Sequence, residues 1–344
     1  MRIAHVVKPY IRVPPERYGA VERVLSLLAA EQARAHHVTM FATGNAKLAE
    51  EVELISLFPR EMGDQGYDRY IELAQVLHAF QHHLGRPYDI VHAHAVDAAI
   101  PLAPMLGIPM VYSAHSILRR ETQALIELCD QERVSFVFLT EAHRESYPPL
   151  ERAVVIPYGI PHASYPFYDA SGKNGYLAFV GALTEDKGVL DAIAVARMTG
   201  TELRIAGKVR DPAFFEEHVR PCLEDPLVTF LGEVNDHERN VLLGRARATL
   251  FPIHWPEPFG LVILESLVVG TPVIAYGRGS VPEILTSNVG CVVCSREEMA
   301  EAVERVRSLR PPDCRAHVAE RFPLHRMVAS LEALYAHHAR LFRT

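Results

Sequence analysis

In the segment WPEPFGLVILES, residues 255–266, two carboxylates stand eight positions apart: Glu257 lies between prolines and Glu265 inside an apolar run. An ionised carboxylate between Leu264 and Leu267 needs donors to meet it, because burying it alone is costly. Eight helical residues turn through about 800°, so the two would not share one helix face. Pro256 and Pro258 favour an extended loop for Glu257, with Phe259, Gly260 and Leu261 opening the next helix. The amides of such a first turn, aided by the helix dipole, suit a phosphate or another anion. One turn further in, Glu265 suits the two vicinal hydroxyls of a ribose, or else a neighbouring arginine. Residue types leave both open.

A second cluster is FVGALTEDKGVLDAI, where a strand ends in Gly181 and a polar turn brings Lys187 and Gly188 to the start of a helix. Gly181 permits close backbone approach, and Lys187 is either a mobile cation for a diphosphate or a solvated surface lysine. A third is DIVHAHAVDAAI. Strand alternation sets His92 and His94 on one face with Asp97 three positions on, the look of a metal-dependent hydrolase. The doublets His36-His37, His82-His83 and His337-His338 read as solvent-facing. Cys291 and Cys294 have C-x-x-C spacing but no second pair to complete a zinc site, and read as buried strand residues.

The chain that must position these residues has 344 residues, enough for two domains. Its formal charge of −7 argues against nucleic acid as the main partner. The N-terminal MRIAHVVKPY is strand-like and lacks the features of a signal peptide, and no run is long enough to span a membrane, so a cytoplasmic location is expected. Short β-branched runs alternate with stretches of helical period, the pattern of parallel βαβ units. Strands are expected at RIAHVVK, HVTMFAT, DIVHAH, PMVYSAH, VSFVFLT and AVVIPYG, then at YLAFVGA, ELRIAGK, VTFLGEV, ATLFPI, TPVIAYG and GCVVC. Helices are expected at about 20–34, 67–84, 97–105, 119–129 and 141–146, then at 187–198, 211–223, 236–247, 260–269, 280–286 and 296–308, with a long amphipathic one over 323–342. The Pro-, Gly- and Ser-rich YGIPHASYPFYDASGKNG separates the halves. Domains over 1–164 and 165–322 result, with the helix of 323–344 free to pack back on the first.

These motifs together carry a family resemblance. EPFGLVILE resembles the E-x7-E signature of the family 4 retaining glycosyltransferases of the GT-B fold, and FVGALTEDKG resembles that family's strand-turn-Lys-Gly segment. PPERYGAVERVLSLLA is similar to its glycine-rich loop before the first helix, and VYSAHS to its histidine-bearing strand end. The matches span about residues 1–290. The resemblance implies two Rossmann-like doubly wound domains facing across a cleft, the first for an acceptor and the second for a nucleotide sugar. It implies transfer of a sugar from a UDP, GDP or ADP sugar to a hydroxyl acceptor, with retention, by a front-face route and without a metal.

Carried over by residue, the resemblance puts Glu265 on the ribose and Glu257 on the sugar ring. The amides of Phe259, Gly260 and Leu261 lie at the sugar and diphosphate, and Lys187 on the leaving diphosphate. Gly19 approaches the diphosphate, His115 contacts the transferred sugar, and Gly181, Gly207 and Val234 line the nucleotide pocket. The partners implied are a nucleotide sugar and a saccharide or small-molecule acceptor, met by residues 9–18, 58–70 and 115–122. The chain departs from the pattern at Ala182, where an arginine usually accompanies the lysine, and at Gly19-Ala20, where the family has a glycine pair. Lys208 and Arg210 are the basic residues placed to compensate for the first. Two other readings compete: a metal-dependent hydrolase built on His92, His94 and Asp97, and a scaffold that binds a nucleotide sugar without turnover.

Overall fold

The computed structural model describes residues 1–63, 68–129 and 132–341. Residue 67, where one helix is expected to begin, residues 64–67 of the expected acceptor segment 58–70 and the end of the last expected helix lie outside the described residues. The chain divides into two compact units, one of Met1–Pro15, Gly19–Gly159 and the helix from Leu324, the other of Glu16–Tyr18 and Ile160–Pro323. The division falls after Gly159, where Ile160 bridges to Pro323 and so joins the second unit.

In the first unit, β1 (Arg2–Val7), β2 (His37–Phe41), β3 (Val52–Ile55), β4 (Ile90–His94), β5 (Met110–Ser113), β6 (Val134–Phe138) and β7 (Ala153–Val155) form one sheet in the order β3-β2-β1-β4-β5-β6-β7. All pairings are parallel. Helices α1 (Ala20–Gln32), α2 (Arg69–Gly85), α3 (Arg120–Glu127) and α4 (Glu141–Glu145) connect them, with a 3-10 helix over Asp97–Leu106. Pro101 and Pro104 withhold amide donors from that segment, which is why its helical period does not mature into the α-helix expected. Strand β3 was not expected: VELI is short, carries Glu53 and is only partly buried at the sheet edge, so its apolar signal is weak.

The second unit repeats the plan. Strands β8 (Leu177–Val180), β9 (Leu203–Ala206), β10 (Val228–Phe230), β11 (Ala248–Phe251), β12 (Val273–Tyr276) and β13 (Gly290–Val293) form a parallel sheet in the order β10-β9-β8-β11-β12-β13. Its helices are α5 (Val189–Thr199), α6 (Pro212–Phe214), α7 (Asp236–Arg245), α8 (Leu261–Val268), α9 (Val281–Ile284), α10 (Arg296–Arg305) and α11 (Pro311–Arg321). The single helix expected over 211–223 is instead α6, a π turn over Phe215–Val219 and a 3-10 turn over Arg220–Glu224, broken where Pro221 lacks an amide donor. Helix α11 was not expected because it buries only Cys314, His317 and Val318, too few for a clear apolar period. Two cations brace this unit from within. Lys173 donates to the carbonyls of Gly244 and Gly270 at 2.9 and 3.0 Å, and Arg315 to those of His162 at 2.7 Å and Val268 at 3.1 Å.

Helix α12 (Leu324–Leu341) belongs to the first unit, where its Tyr335 and His338 are fully buried. His338 bonds Ser135 at 3.0 Å, and His83 bonds the carbonyl of Leu106 at 3.1 Å, so neither is solvent-facing as its doublet suggested. Cys294 is exposed beyond the end of β13, which removes it from the strand expected to bury it. Among the described residues no helix is long and apolar enough to cross a membrane.

Glycines set the tightest approach in the second sheet. A Cβ on Gly207, just past β9, would stand 1.7 Å from the carbonyl oxygen of Gly181, just past β8. Backbone cannot yield that much, so Gly207→Ala is expected to destabilise the second unit by about 3 kcal/mol or more. Trp255, the single tryptophan, reports this unit's unfolding in urea by fluorescence. An unchanged midpoint would contradict the packing described.

Candidate active site

In the second sheet β8 and β11 are neighbours although they are not consecutive, so the strand order reverses between them, and in such sheets ligands bind beyond the carboxyl ends at that reversal. Lys187 follows β8 and Glu257 follows β11. The turn Glu185–Lys187 ends in Gly188 at φ 73°, and a Cβ there would lie 1.9 Å from the carbonyl oxygen of Pro252. The amide of His254 donates a hydrogen bond of 2.8 Å to the carbonyl of Asp186. The two strand-end loops are thereby laced together, and Lys187 Nζ donates to Glu257 Oε2 at 2.7 Å while standing 4.5 Å from the centre of the Trp255 ring. Lys187 closes the 3-10 turn before α5 and is not in that helix's first turn, as had been expected; Gly188 in the left-handed region ends one and caps the other. The Trp255 indole Nε1 is buried without a hydrogen-bond partner.

Glu257 sits in the loop between β11 and α8, where its amide closes a tight turn on the carbonyl of Trp255 at 2.9 Å. The loop is held by the amide of Ser280 on the carbonyl of Glu257 at 2.9 Å and by the Ser280 hydroxyl on the carbonyl of Phe259 at 2.8 Å. Gly260, at φ 81°, caps α8, whose N-terminus has no side-chain cap, so Phe259, Gly260 and Leu261 present backbone at the same strand end. Glu265 is 4% exposed, and Arg239 Nη2 stands 3.2 Å from its Oε1. The arginine partner that residue types left open is therefore present. Burial works to lower the Arg239 pKa, but Glu265 and Asp236 outweigh it and raise it. Arg239 was not singled out from sequence, yet its spacing to the buried Leu242 and Leu243 puts it on the inner face of α7, a legible signal.

Asp191 was also missed. Buried on α5, it accepts from the Tyr276 hydroxyl at 2.8 Å and from Arg296 Nε at 2.6 Å, and it lies 3.0 Å from His254 Nε2. Those contacts fix the loop that carries Trp255 and Glu257. Gly181 and Gly207 meet as described, while Val234 lies beyond β10, half-buried.

In the first unit, Gly19 at φ 140° precedes α1, and a Cβ on it would stand 2.8 Å from that of Pro15. Burial pushes Glu22 in the first turn of α1 up to about 7. His115, half-buried beyond β5, does not stand alone. Its Nδ1 is 2.6 Å from the Tyr158 hydroxyl and its Nε2 3.2 Å from Nδ1 of His94. Parallel register sets His5 of β1 beside His92 of β4, and His5, His92 and His94 converge with one ring nitrogen of each within 4.8 Å of the others. Asp97 is not in that group. It accepts from the Tyr112 hydroxyl at 2.5 Å and from Thr122 at 2.6 Å, which corrects the His92, His94 and Asp97 triad.

Two units, each a doubly wound parallel sheet, the second with charged strand-end loops at its reversal point, have the GT-B plan. The family description "Glycosyl transferases group 1" matches residues 166–320 and "Glycosyltransferase Family 4" matches residues 19–164. The chain belongs to the GT-B glycosyltransferases of the family 4 type. It is 31% identical over 248 residues to a glycogen synthase of Mycobacterium tuberculosis, a stretch covering 64% of this chain and 60% of that protein's length. A sucrose-phosphate synthase from Thermosynechococcus elongatus superposes with TM-score 0.78 at 19% identity over 98% of both chains. Anabaena Alr3699/HepE in complex with UDP does so with TM-score 0.75 at 15% identity over 98% of this chain and all of the other.

Burial holds His5 down to about 4 and His115 to about 3, and keeps His92 and His94 well below the usual 6.5. The neighbouring imidazoles, His143 and Lys8 add to the effect. As pH falls below 6.5 the unfolded chain takes up protons that these native residues refuse, so stability falls by about 1.4 kcal/mol per pH unit for each. Glu22, raised above its usual 4.5, acts in the opposite sense between 4.5 and about 7 and offsets one of the four. The urea midpoint is expected to drop steeply from pH 6.5 to 5, with net proton uptake on unfolding. A flat profile would contradict the buried neutral cluster.

Proposed function

We propose that this chain transfers a glycosyl group from a nucleotide diphosphate sugar to a hydroxyl acceptor with retention at the anomeric carbon and without a metal ion. The observation that carries this reading is the Lys187–Glu257 pair at 2.7 Å, beside the backbone end of α8 and at the reversal point of the second sheet. Each charge of the pair satisfies the other. On this reading the diphosphate takes Lys187, the buried Trp255 N–H and the α8 amides, while Glu257 turns to the sugar hydroxyls. Glu265 holds the ribose hydroxyls with Arg239 at its side, and Gly181, Gly207 and Val234 line the nucleotide. For the first unit, the family resemblance assigns Gly19 to the diphosphate and His115 to the transferred sugar.

In the reaction so described the anomeric C–O bond to the diphosphate breaks and the acceptor oxygen bonds to the same face of that carbon. The acceptor proton passes to an oxygen of the leaving diphosphate. Such a transition state gains most from donors fixed where negative charge grows, which is the place of Lys187 and the helix amides. The UDP seen with the Anabaena protein supports a nucleotide donor of this kind, and a cytoplasmic location fits such a donor.

Calorimetric titration of EDTA-treated protein with UDP, GDP and ADP tests the reading. Micromolar binding of one of them is expected, weakened about ten- to a hundredfold in Lys187→Ala, or about 1.4–2.8 kcal/mol. If Glu265 holds the ribose, the preference for a ribonucleotide over its 2′-deoxy counterpart disappears in Glu265→Ala, a result that loss of the Arg239 pair alone would not produce. Failure of all three nucleotides to bind would sink the proposal.

A further inference from the structure

The histidines of the first unit form a directed chain. Gln32 Oε1 stands 2.8 Å from His5 Nε2, His5 Nδ1 stands 2.9 Å from His94 Nε2, His94 Nδ1 stands 3.2 Å from His115 Nε2, and His115 Nδ1 stands 2.6 Å from the Tyr158 hydroxyl. A neutral imidazole has one N–H and one lone pair on opposite sides of the ring, so each ring can donate on one side only. An amide oxygen only accepts. Gln32 Oε1 therefore requires the proton of His5 on Nε2, which leaves Nδ1 bare and requires His94 to carry its proton on Nε2. By the same step His115 carries its proton on Nε2 and accepts the Tyr158 hydroxyl at Nδ1.

We propose that Gln32, three hydrogen bonds from His115, sets the tautomer of His115 through His5 and His94, so that His115 meets a ligand as a hydrogen-bond acceptor at Nδ1. Nδ1 of His115 is the one ring nitrogen of these three rings whose partner is a hydroxyl, and a ligand hydroxyl can take that partner's place. Gln32 and His5 are positioning residues in this scheme. A metal held by His5, His92 and His94 is the rival use of the same rings. Every ring nitrogen of the three already has a partner, however: His92 has Tyr335 at 2.6 Å and Ser113 at 2.7 Å, and the other two are engaged in the chain. The effect on turnover rests on the proposed assignment of His115 to the transferred sugar, while the tautomer itself does not.

Long-range proton–nitrogen NMR of the full chain with 15N-labelled histidine tests the relay. His94 and His115 are expected to show a protonated Nε2 and a bare Nδ1. Gln32→Leu is expected to populate both tautomers of His115. Tyr158→Phe removes the far end of the chain and leaves the tautomer of His94 unchanged. With UDP-glucose, ADP-glucose or GDP-mannose as donor, Gln32→Leu should lower kcat about tenfold with little change in KM. A proton on Nδ1 of His115 in the unaltered chain, an unchanged tautomer in folded Gln32→Leu, or stoichiometric zinc on these histidines in protein purified without chelator would overturn the relay. A tautomer shift without any change in turnover would leave the relay standing and remove His115 from the sugar.

Discussion

The approach of the Gly188 backbone to the Pro252 carbonyl is the constraint on which the second unit's chemistry rests. A residue with a side chain at 188 would force the β8 and β11 loops apart, and with them Lys187 and Glu257. The sheet brings two strand ends together at its reversal point, but strand ends alone stand a strand spacing apart. The glycine removes the last side chain between them, and His254 on Asp186 fastens the contact. Asp191 beneath, with Tyr276 and Arg296, then keeps the loop that carries Glu257 from drifting. The burial that makes Asp191 an effective anchor also raises the Tyr276 pKa, to which Asp191 itself adds.

Much of this was legible in the sequence because the signals were local. Prolines flanking Glu257 predict a loop there in place of helix, and β-branched runs predict the strands, which appear within a few residues of their expected bounds. Where signals are non-local, residue types gave a set of possibilities instead of an answer. Glu265 looked equally suited to a ribose or an arginine, and only the packing of α7 against α8 brings Arg239 to it. His5 drew no notice, since a lone histidine in RIAHVV has no partner in its own segment. Its role follows from parallel register, which sets it beside His92, some ninety positions away in the chain. Asp97 misled for the opposite reason: closeness in sequence to His94 counts for nothing once the backbone turns into the 3-10 helix and carries the carboxylate to Tyr112 and Thr122.

The two units use buried polar groups in different ways. The second keeps charges and pairs them: Glu265 with Arg239, Asp191 with Arg296, and Lys187 with Glu257. Each pair offsets desolvation by close contact, and breaking one strands its partner. Beside its Lys8–Glu72 pair, the first gathers imidazoles that remain neutral and bond one another, Gln32 and hydroxyl groups. Helix α12 contributes to that neutrality through Tyr335, so the last described segment of the chain helps to set the polarity of rings on strands near its beginning.

The closed Lys187–Glu257 pair also bears on how a ligand would arrive. Ion-paired, the strand-end site of the second unit presents a local dipole in place of a bare cation, on a chain whose formal charge is −7. A polyanion in solution then feels little attraction beyond a Debye length, so capture proceeds by collision and local exchange of partners and not by long-range steering. Association should accordingly be slow on the scale of steered encounters and nearly indifferent to salt. Small inorganic anions, which bring charge but no sugar hydroxyls to relieve Glu257, gain little by opening the pair.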